Sequence, residues 1–132
     1  LGIEVTIATR EAKVHLASLR DGRYELAFMT AIPDVADAAN LLADFATGAP
    51  ANYPHWADPA FDRLMKEARD STSGPDQAER LREAEARLLD QLPATPLYFN
   101  TINWLMKPSV QGWRPDPLWT RYYLDLSLHA QN

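Results

Sequence analysis

The residues with the strongest claim to chemistry are two aspartates, Asp34 and Asp37, set just beyond the break at Ile32-Pro33. A carboxylate at such a place suits two tasks. It accepts the free N–H groups of a helix's first turn, or it meets a cationic ligand group at the mouth of a cleft. Asp34 is open to both readings, since Asp37 can take the cap in its place. A general acid/base pair with Asp44 needs a second carboxylate at the same spot. Asp44 lies seven residues beyond Asp37 on the following helix and is expected in solvent.

Other chemistry is thin. His15, His55 and His129 are far apart, and none has a second ligand three or four residues away, so no metal site is expected. The five serines lack a nucleophile-elbow context. The glycines are isolated, so no loop cradles phosphate. The absence of cysteine removes disulfides, thiol catalysis and thiolate metal sites together. The expectation is a protein that is not an enzyme and needs no cofactor.

The elements that must position the aspartates follow from periodicity. Ile3, Val5 and Ile7 alternate with polar residues, a strand pattern over 3–7. A helix from Thr9 or Arg10 to about Leu19, with Val14, Leu16 and Ala17 inward, stops at Asp21-Gly22. A second strand covers 24–29, which makes a βαβ unit with parallel neighbouring strands. Val35, Ala38, Leu42 and Phe45 then mark a helix, placed from about Ala38 to Thr47. A strand ending in an acid-bearing loop before a helix is where open α/β sheets hold ligands.

Asp58-Pro59 starts a third helix, with Phe61, Leu64, Met65 and Ala68 as its apolar stripe. A fourth runs from about Asp76 to Gln91, with Leu81, Ala84, Leu88 and Leu92 inward. Its outer face carries Glu79, Arg80, Arg82, Glu83, Glu85 and Arg87, which reads as solvated. Pro93 ends it. Short strands at 96–100 and 102–106 are expected to pair, a loop follows at 112–120, and a last strand covers 121–128. Tyr53, Trp56, Trp104, Trp113, Trp119, Tyr122 and Tyr123 serve as core or loop anchors or line a pocket.

With 132 residues the chain has the length of one domain, long enough to bury roughly two-thirds of its unfolded surface. It is 46% hydrophobic and 23% charged, which is globular composition. A net charge of −5 without any basic run disfavours nucleic acid, whose phosphates need clustered cations. Apolar stretches fall short of the ~20 residues of a membrane span, so no membrane insertion is expected. The chain opens inside a strand pattern without an initiating Met, and is expected to be a fragment of a longer protein.

Several motifs, in register, carry a resemblance. They are Gly2-Ile3-Glu4-Val5; Asp21-Gly22-Arg23-Tyr24-Glu25-Leu26; Asn52-Tyr53 with Asp58-Pro59-Ala60-Phe61-Asp62-Arg63-Leu64; Arg80-Leu81 through Leu88-Leu89 with Pro93-Ala94-Thr95-Pro96-Leu97-Tyr98; and Lys107-Pro108 through Gly112-Trp113. Together they resemble the C-terminal part of family 5 extracytoplasmic solute-binding proteins, the oligopeptide and dipeptide receptors of ABC importers. The resemblance covers nearly the whole chain.

The resemblance implies an α/β fold, a fragment of a periplasmic-binding-protein-like type II lobe in which a βαβ unit precedes helices and C-terminal strands. Residues 1–132 would be one domain of a two-lobed protein, about 1–110 in the distal lobe and about 111–132 a tail returning to the first lobe. By position, Asp34 binds the ligand's amino group, the backbone of Ala31 and Ile32 pairs with the peptide, and Asp37 begins the helix. Ala31 stands where the family often has Trp, and Ala38 where Pro is common. Ala31 implies a wider or less polar pocket and a ligand other than a plain peptide.

Partners implied are a peptide or small amine-bearing solute and, through the full-length protein, ABC permease subunits. Location would be periplasmic or otherwise extracytoplasmic, with a signal peptide upstream. The same binding fold also occurs behind a DNA-binding domain, which makes a solute-sensing transcription regulator the alternative.

Overall fold

Asp58 and Pro59 open the best-packed part of the molecule. The structure is a computed structural model that describes residues 2–101, 103–116, 118 and 120–129. Its helices are α1 Ala12–Arg20, α2 Ala38–Ala43, α3 Pro59–Asp70 and α4 Gly74–Gln91. Among the described residues one two-stranded antiparallel sheet forms. It sets β1 Val110–Gln111 against β2 Ser127–Leu128, with Val110 opposite Leu128.

Asp58 Oδ1 accepts the N–H groups of Ala60 and Phe61 at 2.8 and 2.9 Å, while Pro59 sits where a helix needs no donor. The same oxygen accepts Arg87 Nε at 2.8 Å, which ties the cap of α3 to α4. Arg87 is thus not part of the solvated face expected for it. A long side chain on α4 reaches the buried Asp58 carboxylate, which can repay its desolvation. The Arg87 guanidinium first, and the backbone donors next, hold the Asp58 carboxyl down to about 2.

Beneath this clamp, Phe61, Met65 and Ala68 of α3 face Leu81, Ala84 and Leu88 of α4 at helical spacing, and Leu42 of α2 completes the core. Phe61 is fully buried, with Trp56 edge-on to it at 5.0 Å between ring centres. Ser73 caps α4 two residues earlier than expected, with Pro75 in the first turn. Leu92, expected inward, is exposed because it lies past the last turn in the left-handed conformation, φ 53°.

The strands differ most from expectation. Residues 3–7 and 24–29 form no ladder, so the parallel βαβ pairing is not made within the described residues. Ile3, Val5 and Ile7 stand 73%, 71% and 88% exposed. Residues 96–100 and the described part of 102–106 do not pair either, and Ile102 lies outside the described residues. Of the expected strand 121–128 only Ser127–Leu128 is formed. An alternating pattern records which face a strand buries, but a strand exists only where a neighbour supplies the other half of its hydrogen bonds.

The first helix shows the same effect. Val14 and Ala17 face solvent, Leu16 is half-buried, and Ser18 and Leu19 are the buried residues of α1. The helix expected to reach Thr47 stops at Ala43. Beyond it Asp44, Phe45 and Ala46 donate to carbonyls three residues back, which tightens the chain towards Gly48. Val35 precedes the helix and is exposed. The chain exposes 10819 Å², whereas a self-contained monomer of 14.9 kDa exposes about 7,000 Å². The core is therefore smaller than chain length led one to expect.

Two outcomes follow for stability. The depressed Asp58 carboxyl binds a proton more readily unfolded than folded, so its contribution is present above about pH 4 and lost as pH falls towards 2. Thermal unfolding across that window should show Asp58→Asn less stable at pH 7 and less sensitive to acid. At Gly112, φ 84°, an added Cβ would lie 1.9 Å from the Asp125 carbonyl oxygen. Gly112→Ala should abolish amide protection of the β1–β2 pair in hydrogen exchange while leaving α3 and α4 protected.

Candidate functional site

Residues 30–40 are set by a division of labour between the two aspartates. Asp37, in extended conformation, accepts the Ala39 N–H on Oδ1 at 2.9 Å and caps α2. The Asp34 N–H donates to Asn40 Oδ1 at 2.8 Å, which pins the loop to the first turn of α2. The Asp34 carboxylate makes no hydrogen bond or ion pair among the described residues and is exposed. It is not the cap of a helix beginning at Val35.

Ala31 and Ile32 are exposed as well, and among the described residues their backbone groups make no backbone hydrogen bonds. The three residues singled out from sequence thus sit around Pro33 with the Asp34 carboxylate and the backbone groups of Ala31 and Ile32 without hydrogen-bond partners among the described residues. Asp44, expected in solvent, is half-buried. Burial first, and the charge of Asp34 second, push its carboxyl up from the ordinary value. The junction therefore carries a concentrated negative field.

A shallow groove of about 330 Å³ lies elsewhere, between the end of α1 and residues 47–57. Asn52 fixes its wall. This buried amide donates to the carbonyls of Ala46 and Trp56 at 3.1 and 2.7 Å and accepts the Trp56 N–H at 3.2 Å. Tyr24 Oη donates to the Tyr53 carbonyl at 2.7 Å, joining the segment after α1 to that wall. Sequence reasoning marked Asn52 only within a motif. Its role needed the carbonyls on either side of it, Ala46 and Trp56, to be folded back onto one amide.

The remaining sequence candidates stay apart. His15 Nε2 lies 3.1 Å from the Phe28 carbonyl, and no group of three His, Asp or Glu placed to hold a metal occurs among the described residues. Trp104 packs on Trp113 at 4.6 Å with the Arg121 guanidinium over it at 5.2 Å, and Arg114 covers Tyr122 at 4.4 Å. Tyr123 is exposed, and Trp119 lies outside the described residues. No helix among the described residues is long and apolar enough to cross a membrane.

No family model matches the chain. Over its whole length it is 28% identical to the dipeptide-binding protein DppE of Bacillus subtilis (strain 168), of which it spans 24%. It is 29% identical over 112 residues, 85% of the chain, to the probable deoxycholate-binding periplasmic protein YgiS of Escherichia coli (strain K12), spanning 21% of that protein. Among solved structures it is similar to the unliganded open form of the periplasmic murein tripeptide-binding protein MppA. There the TM-score is 0.74 at 21% identity, over 96% of this chain and 25% of that one. The chain spans about a quarter of the length of these relatives. The likeness to MppA shows the fold, an α/β piece of a type II binding-protein lobe.

The capping assignment has a direct test. Asp37→Ala should destabilise the α2 region by about 1 kcal/mol, the usual loss for a cap, and Asp34→Ala should leave it unchanged. Native-state hydrogen exchange of the α2 amides reads both, and equal effects would reverse the assignment.

Proposed function

We propose that this chain, whose relatives are the family 5 extracytoplasmic solute-binding proteins, is part of the substrate-binding component of an importer for peptides or related amine-bearing solutes. The observation that carries the reading is the free Asp34 carboxylate, released from capping by Asp37, in a chain similar end to end to a dipeptide-binding protein. On this reading Asp34 meets the solute's ammonium group and the backbone of Ala31 and Ile32 pairs with an extended ligand. About 1–110 belong to the distal lobe and about 111–132 return to the first.

The physics suits that task. A charge-assisted hydrogen bond to an ammonium ion gains strength where a closing cleft excludes water. Pairing through backbone groups supplies affinity without reading side chains, so one site accepts many sequences. Asp44 adds to the field at the junction, where burial first and the charge of Asp34 second raise its carboxyl above the ordinary value. Ala31 leaves space where a bulkier side chain would restrict the ligand, and one relative, YgiS, is named as a probable deoxycholate-binding protein.

Delivery to permease subunits in an extracytoplasmic compartment, without catalysis, completes the proposal. A cleft needs two walls, and hinge closure supplies the second. Isothermal titration of the 132-residue chain with di- and tripeptides should therefore show weak or no binding. In a two-lobed protein carrying this chain, Asp34→Asn should lower affinity for an amine-bearing ligand about ten- to a hundredfold. Unchanged affinity in a folded variant would remove Asp34 from the site.

A further inference from the structure

We propose that the groove between the end of α1 and residues 47–57 receives an anionic group of the solute, with Arg20 as its charge partner. This narrows the substrate class to acidic solutes, and for that step rests on the solute-binding reading above.

The first argument is charge. The chain carries 18 Asp and Glu against 13 Lys and Arg, yet no carboxylate lines this groove, and Arg20 does. Three acids near it in sequence are engaged: Asp21 pairs with Arg23 at 2.7 Å, Asp58 is held by Arg87, and Asp62 accepts the Thr47 N–H at 3.0 Å, while Asp44 lies against the charge of Asp34 and does not line the groove. Arg20 itself has no acidic partner among the described residues. A guanidinium offers a planar fork of donors that matches a carboxylate in two parallel bonds.

The second argument is construction. His55 holds φ 52°, a left-handed conformation that a non-glycine residue rarely adopts. Its N–H donates to the Asn52 carbonyl at 3.0 Å, and its ring lies 3.5 Å from where a side chain on Gly22 would begin. Gly22, left-handed at φ 64°, both stops α1 and leaves room for the imidazole. The buried Asn52 locks the wall, and Tyr53 and Trp56 supply apolar surface beside the charge. At about 330 Å³ the groove has the volume of a small ligand subsite.

The test is titration of the ¹⁵N-labelled 132-residue chain with glutarate at fixed ionic strength, followed by amide shifts. Saturable shifts are expected at residues 47–57 and at the Arg20 side chain, with at least tenfold weaker binding in Arg20→Gln and no change in Asp34→Asn. Absence of saturable shifts in the groove overturns the proposal, as do equal shifts in a folded Arg20→Gln. In a two-lobed protein carrying this chain, a parallel titration with n-butylamine reads the Asp34 site alone. Loss of that signal with glutarate binding intact would sink the amine reading and leave the anion site standing.

Discussion

One carboxylate oxygen organises the packed part of this molecule. Asp58 Oδ1 caps α3 and receives Arg87 from α4, so a single atom fixes where one helix begins and how the next lies on it. Buried charge is costly unless fully matched, and three donors on one oxygen supply that match. The apolar faces of α3 and α4 close below it, and Phe61 is fully buried. The groove wall leads directly into this clamp, since Asn52 holds the Trp56 carbonyl and Trp56 lies edge-on to Phe61.

Residues 2–10, 24–33 and 96–101 are largely extended and exposed. Phe28 stacks on Tyr98 at 6.2 Å between ring centres, and His15 reaches the Phe28 carbonyl, so these segments keep a course without forming a sheet. Their alternating apolar residues have nothing to cover them within the described residues. The same course over about a quarter of MppA, at a TM-score of 0.74, is the course of a lobe seen without most of its neighbours. A face of this kind has its natural partner in further strands and not in water.

The two candidate recognition elements differ in charge for physical reasons. At the acid-bearing junction, cap chemistry consumes Asp37 and leaves Asp34 and Asp44 close enough to feel one another. No acid lines the groove, and Arg20 stands at the carbonyl end of α1, where the helix dipole favours a cation.

The sequence by itself determined the local signals: Asp58-Pro59 as a helix start, the stripes of α3 and α4, Gly22 as a stop, and two acids after Pro33. These depend on residues within a few positions of one another, which is the range over which caps and periodicity act. It also carried the family resemblance. Spacing alone did not decide between Asp34 and Asp37, because either satisfies a first turn; the resemblance implied Asp37 for the helix, and the folded loop, with Asn40 holding the Asp34 backbone, has Asp37 as the cap. The Arg87 clamp and the Arg20 groove join residues distant in sequence, and no local pattern encodes them. The strands failed for the complementary reason: their pattern names a buried face, but pairing is a property of the neighbour as much as of the strand.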